Sequence, residues 1–245
     1  MLIVMSLSAA AALLAGPALP GANLPLPPPT LSVAVDVAPT IPPALVTYVL
    51  AESAQIWRDA GVQLNWVRRD LKGGDSDHRA ERDPLRGHDA GASSTRGVPR
   101  LAPMRDASSG LQVTVGENRG RSEGDPHVLP LGWIVFEAGS PQQEIYLSSA
   151  NAIELLTESD FVVGRVSTLT NKEKYILLGR AMGRALAHEI GHYLLGSKAH
   201  TPSGIMQARR GAAELFSSSR RGFQVDLNQR QSIAARLEAL IAASD

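Results

Sequence analysis

From Leu31 to Val37 apolar and polar residues alternate as Leu-Ser-Val-Ala-Val-Asp-Val, the two-residue repeat of a half-buried strand. Between Ala44 and Ala60 the repeat becomes helical: Val46, Val49, Leu50, Ala54 and Trp57 share one face, and Gly61 follows as a stop. Val62 to Val67 returns to strand. Strand, helix and strand of this size predict a crossover unit that starts a sheet with a helix packed on it. From about Asp70 to Gly110 the periodicity gives way to Gly, Ser, Asp, Arg and Pro, which predicts a flexible insertion. Strand patterning resumes at Leu111 to Val115, Gly132 to Phe136 and Glu144 to Leu147, and a helix is expected from Ala152 to about Glu158.

The longest helical pattern follows. Tyr175, Leu178, Met182, Leu186, Glu189, Ile190 and Tyr193 keep helical spacing, with Asn171 as the expected N-cap and Gly196 as the stop. Beyond it Ala212 to Phe216 reads as a short helix. Asp226 to Ala243 reads as a longer one, with Asp226 as N-cap and Leu227, Ile233, Leu237 and Ile241 along one side. That last helix is expected to close the domain on the sheet or on the long helix.

The ends and the composition narrow the picture. Residues 1–22 are almost entirely apolar or small and finish in Ala-Gly-Pro-Ala-Leu-Pro-Gly-Ala, the composition of a cleaved export signal. Prolines 17, 20, 25, 27, 28 and 29 keep the apolar run below the roughly 20 residues that a spanning helix needs. A signal peptide over 1–22, a Pro-rich linker over 23–30 and one domain over 31–245 are therefore expected, with an uncleaved membrane anchor as the rival reading of the apolar run. The location would be secreted or periplasmic, with no stable membrane association after cleavage. Lys plus Arg (24) equals Asp plus Glu (24), so net charge gives no reason to expect nucleic acid as a partner. The absence of cysteine excludes disulfides and thiolate metal sites.

The chemistry concentrates in Ala187-His188-Glu189-Ile190-Gly191-His192-Tyr193-Leu194-Leu195-Gly196, followed by His200 and Ser203-Gly204-Ile205-Met206. Histidines four apart on a helix stand one turn above the other, so His188 and His192 can converge on one ion, with Glu189 beside them. This is H-E-x-x-H, in which the histidines hold Zn²⁺ and the glutamate handles the proton of a water. A buried helix carrying these polar groups needs partners for them, and a shared metal supplies one. His78, His88 and His127 stand alone in polar stretches and read as solvated.

With Gly196, His200 and Met206 included, the stretch resembles the metzincin clan of zinc metalloproteases, matrixin-like but with a shifted third-ligand loop. The family's elongated motif H-E-x-x-H-x-x-G-x-x-H puts its glycine and third histidine where this chain has Leu195 and Lys198; Gly196 and His200 come one and two positions later. The resemblance implies an α+β fold of the zincin type: a twisted mixed sheet packed on helices, a central active-site helix and a mostly helical C-terminal part. It implies one Zn²⁺ on His188, His192 and His200, with Met206 as the methionine of the turn beneath the metal. The activity implied is that of a secreted endopeptidase that cleaves peptide or protein substrates with a metal-activated water and Glu189 as general base. Some members carry a tyrosine soon after the turn methionine; here Gln207, Ala208 and Arg209 follow, and Arg209 is the nearest candidate for a further oxyanion donor. Two other readings stay open. Glu214, twenty-two residues beyond His192, is placed as a gluzincin-type third ligand would be. The same frame also suits an exported zinc-binding or surface-interaction protein without turnover, although Glu189 is a residue that metal binding alone does not need. An edge strand beside the site could hold an extended peptide by strand addition, and Glu144 to Leu147 is the expected one.

Overall fold

A computed structural model describes residues 28–69, 110–120 and 129–242. The expected signal peptide, most of the Pro-rich linker, the expected insertion (except Gly110), His78, His88 and His127 lie outside the described residues. The strands are β1 (Thr30–Val37), β2 (Gln63–Arg69), β3 (Leu111–Gly116), β4 (Gly132–Glu137) and β5 (Ser140–Ser148). The helices are α1 (Pro43–Asp59), α2 (Ser149–Thr157), the single turn α3 (Asp160–Val163), α4 (Asn171–Leu195), α5 (Ala212–Phe216) and α6 (Leu227–Ala242).

The strands form one twisted mixed sheet in the order β2-β1-β3-β5-β4, with helices packed on it and a helical C-terminal part. β1, β2, β3 and β5 run parallel, and β4 is antiparallel to β5. β1, α1 and β2 make the expected crossover unit, and Gly61, at φ 87°, turns the chain from α1 towards β2. One expectation is corrected by the strand order. Glu144 to Leu147 belongs to β5, which is paired on both sides, by β3 and by β4. The edge strand beside α4's histidines is β4, because the two-residue turn at Ala138 and Gly139 folds it back outside β5.

α1 and α4 lie against each other and against the sheet. Gly179 and Gly183, one turn apart on α4, face α1; a Cβ on Gly183 would stand 2.6 Å from Glu52 Cβ and 2.7 Å from the Val49 carbonyl. Only hydrogen at these two positions permits so close a crossing. The core between the elements is built from Val33 and Val35 of β1, Val49 and Trp57 of α1, Val113 of β3, Ile145 of β5 and Met182, Leu186 and Ile190 of α4, all buried. α6 packs on α4 through Ile233 and Leu237, whereas Leu227, expected on the same side, is 70% exposed because it opens the helix before its first full turn. Asp226 caps α6 as expected: its carboxylate accepts the N–H of Gln229 at 2.8 Å.

Candidate metal centre

α4 brings the site's first three residues together. Its N-cap is Thr170 and not Asn171: Thr170 is extended, its hydroxyl accepts the Glu173 N–H at 3.3 Å, and Glu173 accepts the Thr170 N–H at 2.8 Å. This reciprocal pair is a capping box, which outcompetes a lone asparagine one residue later. From that start the helix runs 25 residues and stops where Gly196 takes the left-handed conformation at φ 62°.

The chain turns at Gly196, and residues 197–200 return so that His200 meets the two histidines of α4. His188 and His192 approach at Nε2 to Nε2 3.0 Å with their rings perpendicular, at 87°. The His200 ring stacks on His188 at 5.3 Å between centroids and meets His192 edge-on at 4.9 Å. One nitrogen of each of the three rings lies within 4.8 Å of the others. Two nitrogens sharing a tetrahedral zinc at about 2.0–2.1 Å lie about 3.3 Å apart, so the spacing suits such an ion. The donor set suits it too: three imidazoles and no thiolate are ligands that zinc accepts while keeping a fourth position for another group.

The other ring nitrogens are already taken. His188 Nδ1 meets the Ile205 carbonyl at 2.8 Å, and His192 Nδ1 meets the Ser197 carbonyl at 2.7 Å. A carbonyl only accepts, so each Nδ1 carries the proton and each Nε2 offers its lone pair to the shared space. Burial pushes the His188 imidazole down to about 4 and lowers that of His192 as well, which keeps both neutral and ligand-ready at neutral pH. Ile205 immediately precedes Met206, so the turn orients the His188 ring directly. The turn is held by Thr201 N–H to the Met206 carbonyl at 2.9 Å and Ile205 N–H to the Gln224 carbonyl at 2.9 Å. Met206 is fully buried and its sulfur fills the space over Gly191, where a Cβ would collide with it.

Glu189 is buried between α4 and the edge strand. A Cβ at Gly132 of β4 would stand 3.4 Å from Glu189 Cγ, and the backbone N–H of Ile134 donates to its carboxylate. Burial pushes the carboxyl up to about 8, and the Ile134 hydrogen bond pulls the other way. A dication held by the neighbouring imidazoles would draw it further down. Glu189 and the three histidines line a cavity of about 790 Å³ whose far walls are β4 and the segment after Met206.

Glu214 stands apart from the trio. Its carboxylate is bound to Arg210 at 2.7 Å and accepts the Gly211 N–H, capping α5. Arg209 lines the cavity as an exposed side chain. Several participants escaped sequence reasoning. The Ile205 and Ser197 carbonyls and the Ile134 N–H are backbone groups that no residue type announces. Arg184 had a signal: it stands one turn before His188 on the same helix face, where a charge on a buried stripe calls for a partner. That partner is Glu52 of α1, at 3.0 Å.

Among the described residues no helix is long and apolar enough to cross a membrane. No family model and no curated protein matches the sequence. Among solved structures, the crystal structure of archaemetzincin from Methanopyrus kandleri at 1.5 Å resolution aligns over 85% of this chain and 96% of that one. The TM-score is 0.44 and the identity 14%, a likeness too slight to transfer residues or activity.

Proposed function

We propose that the chain is an exported zinc-dependent endopeptidase of the metzincin kind, in which His188, His192 and His200 hold the ion and Glu189 is the general base. The observation that carries this reading is the convergence of three imidazoles, nitrogens within 4.8 Å, beside a buried carboxylate in an open cavity. When bound, zinc supplies Lewis acidity, which acidifies water and polarises a carbonyl.

The chain's own residues do the rest. The Ile205 and Ser197 carbonyls hold two ligand rings in the tautomer that metal binding needs. Glu189 takes a proton from the attacking water as its oxygen bonds to the scissile carbonyl carbon, and returns it to the nitrogen as the C–N bond breaks. Desolvation suits this carboxylate to the task, since a base poised near neutrality both accepts and releases a proton readily. Among the described residues β4 is paired on one side only, and its open edge offers backbone groups to an extended peptide laid along the cavity. The apolar, small-residue stretch over 1–22 supports export, with 31–245 as the catalytic unit.

The test is Glu189→Gln. It should retain one zinc by elemental analysis while peptide hydrolysis drops by at least about a hundredfold, the usual scale of a lost general base. Undiminished hydrolysis would remove Glu189 from the reaction. His200→Ala should lower zinc occupancy and Glu214→Ala should leave it unchanged; the reverse result would assign the third ligand to Glu214.

A further inference from the structure

The chain as a whole is neutral, with 24 basic and 24 acidic side chains, but its cavity is not. Among the described residues, Arg184, Lys198, Arg209 and Arg210 line it, against the single carboxylate of Glu189. Two of these cations are already compensated. Arg184 is paired with Glu52, and Arg210 with Glu214. Each of these arginines also donates to main-chain carbonyls and lies over one ring, that of Phe223, at 4.5 and 4.6 Å. They are structural pins whose charge is spent on the protein.

Lys198 and Arg209 differ. Among the described residues neither has a carboxylate partner, and both are exposed. Lys198 Nζ stands 5.1 Å from the centroid of the Phe136 ring, near the end of edge strand β4, within the bend that delivers His200. Arg209 comes three residues after Met206. Both line the same cavity as the histidines, so a chain lying through it would pass two uncompensated cations. The solvent exposure of Arg209 also argues against a fixed oxyanion donor, which has to be held in place before the reaction. It suits attraction of a mobile charge instead.

We propose that the cleft selects peptides carrying acidic side chains beside the scissile bond, with Lys198 and Arg209 as the specificity-determining residues. This rests on the reading of the cavity as a peptide site. Two exposed pairs of opposite charge sum to a preference of about three- to tenfold, weakening as salt screens them.

The experiment measures binding, so that it does not depend on turnover. Peptides of one sequence, acetylated and amidated so that only side-chain charge varies, carry Asp and Glu, their amide isosteres, or Lys around the central bond. Their affinity for the full chain carrying Glu189→Gln, loaded with zinc, is followed by fluorescence anisotropy at low and high salt. The acidic peptides should bind about three- to tenfold more tightly than the amides at low salt, with the difference shrinking at high salt. Adding Lys198→Glu and Arg209→Glu together should reverse the order in favour of the Lys peptides, with an unchanged melting temperature to show that the fold is intact. Equal affinity for acidic and amide peptides, or a preference that survives the charge reversal, would overturn the proposal. Discrimination by the protein carrying Glu189→Gln alone, without any hydrolysis by the wild type, would sink the peptidase reading alone. Hydrolysis by the wild type without charge preference would sink this one alone.

Discussion

Arg184→Met removes a buried cation that ties three parts of the chain together. The side chain is 1% exposed. Its Nε donates to Glu52 of α1 at 3.0 Å, Nη1 to the Glu214 carbonyl and to that of Leu215 at 3.2 Å, and Nη2 to those of Ser217 at 2.8 Å and Ser219 at 3.0 Å. The carbonyls of Glu214 and Leu215 belong to the last turn of α5, where no further helical N–H can reach them. Methionine matches the volume and returns none of these bonds. Each buried carbonyl left alone costs about 1–3 kcal/mol. Water can reach the side of half-buried Ser217 and exposed Ser219, and Arg220 still holds Glu52 at 2.7 Å. The net cost should therefore be about 3–5 kcal/mol, the range for breaking a buried ion pair from one side. That is a large share of the about 5–15 kcal/mol that holds a domain folded. In urea unfolding followed by tryptophan fluorescence, with a slope of about 2 kcal/mol per molar, the midpoint should fall by about 1.5–2.5 M. Arg184→Lys should recover little, because an ammonium has three donors on one atom and cannot span the same acceptors. A midpoint shift below about 0.5 M for Arg184→Met would show that the network is not a support of the site's wall.

Two further outcomes follow from the packing and titration of the site. Gly191→Ala drives a methyl group into the Met206 sulfur; such overpacking costs about 1–3 kcal/mol, so the melting temperature and the zinc affinity should both drop. Unchanged values of both would mean that the turn yields without affecting the ligands. In protein stripped of metal by a chelator, the raised Glu189 carboxyl contributes stability that is present below its unfolded value of 4.5 and lost as pH rises through about 8. The depressed His188 imidazole contributes stability that is present above 6.5 and lost as pH falls towards about 4. The two oppose each other between those unfolded values. Above 6.5 the carboxyl acts without that opposition, so stability should fall by about 2 kcal/mol towards pH 8. Glu189→Gln should flatten that fall in a melting series, and an equal slope in the variant would assign it to another group.

How much was legible depends on the distance along the chain over which each feature is decided. Val33 and Val35, the face of α1 through Trp57, and the His188, Glu189, His192 face of α4 were readable because strand and helix periods place neighbours two to four residues apart without outside help. The Thr170 to Glu173 capping box is equally local, a Thr-x-x-Glu spacing that begins one residue before the expected cap at Asn171. The position of β4 outside β5 was not readable, since a hairpin turn leaves open which strand the rest of the sheet will cover, and that was decided by the parallel pairing of β3 with β5. Nor was the engagement of Glu214 with Arg210 and Gly211, which depends on how the chain after Met206 folds back.

The sequence by itself therefore determined a helix presenting two histidines and a glutamate at one turn's spacing, because the helical repeat alone sets that geometry. The tertiary structure decided the rest of the site: that His200 meets the pair, that the Ile205 and Ser197 carbonyls aim the rings, that β4 is the open edge and that Arg184 is buried. These depend on groups brought together by long-range packing, where the energy of burying the shared core selects one arrangement among many that the local pattern allows.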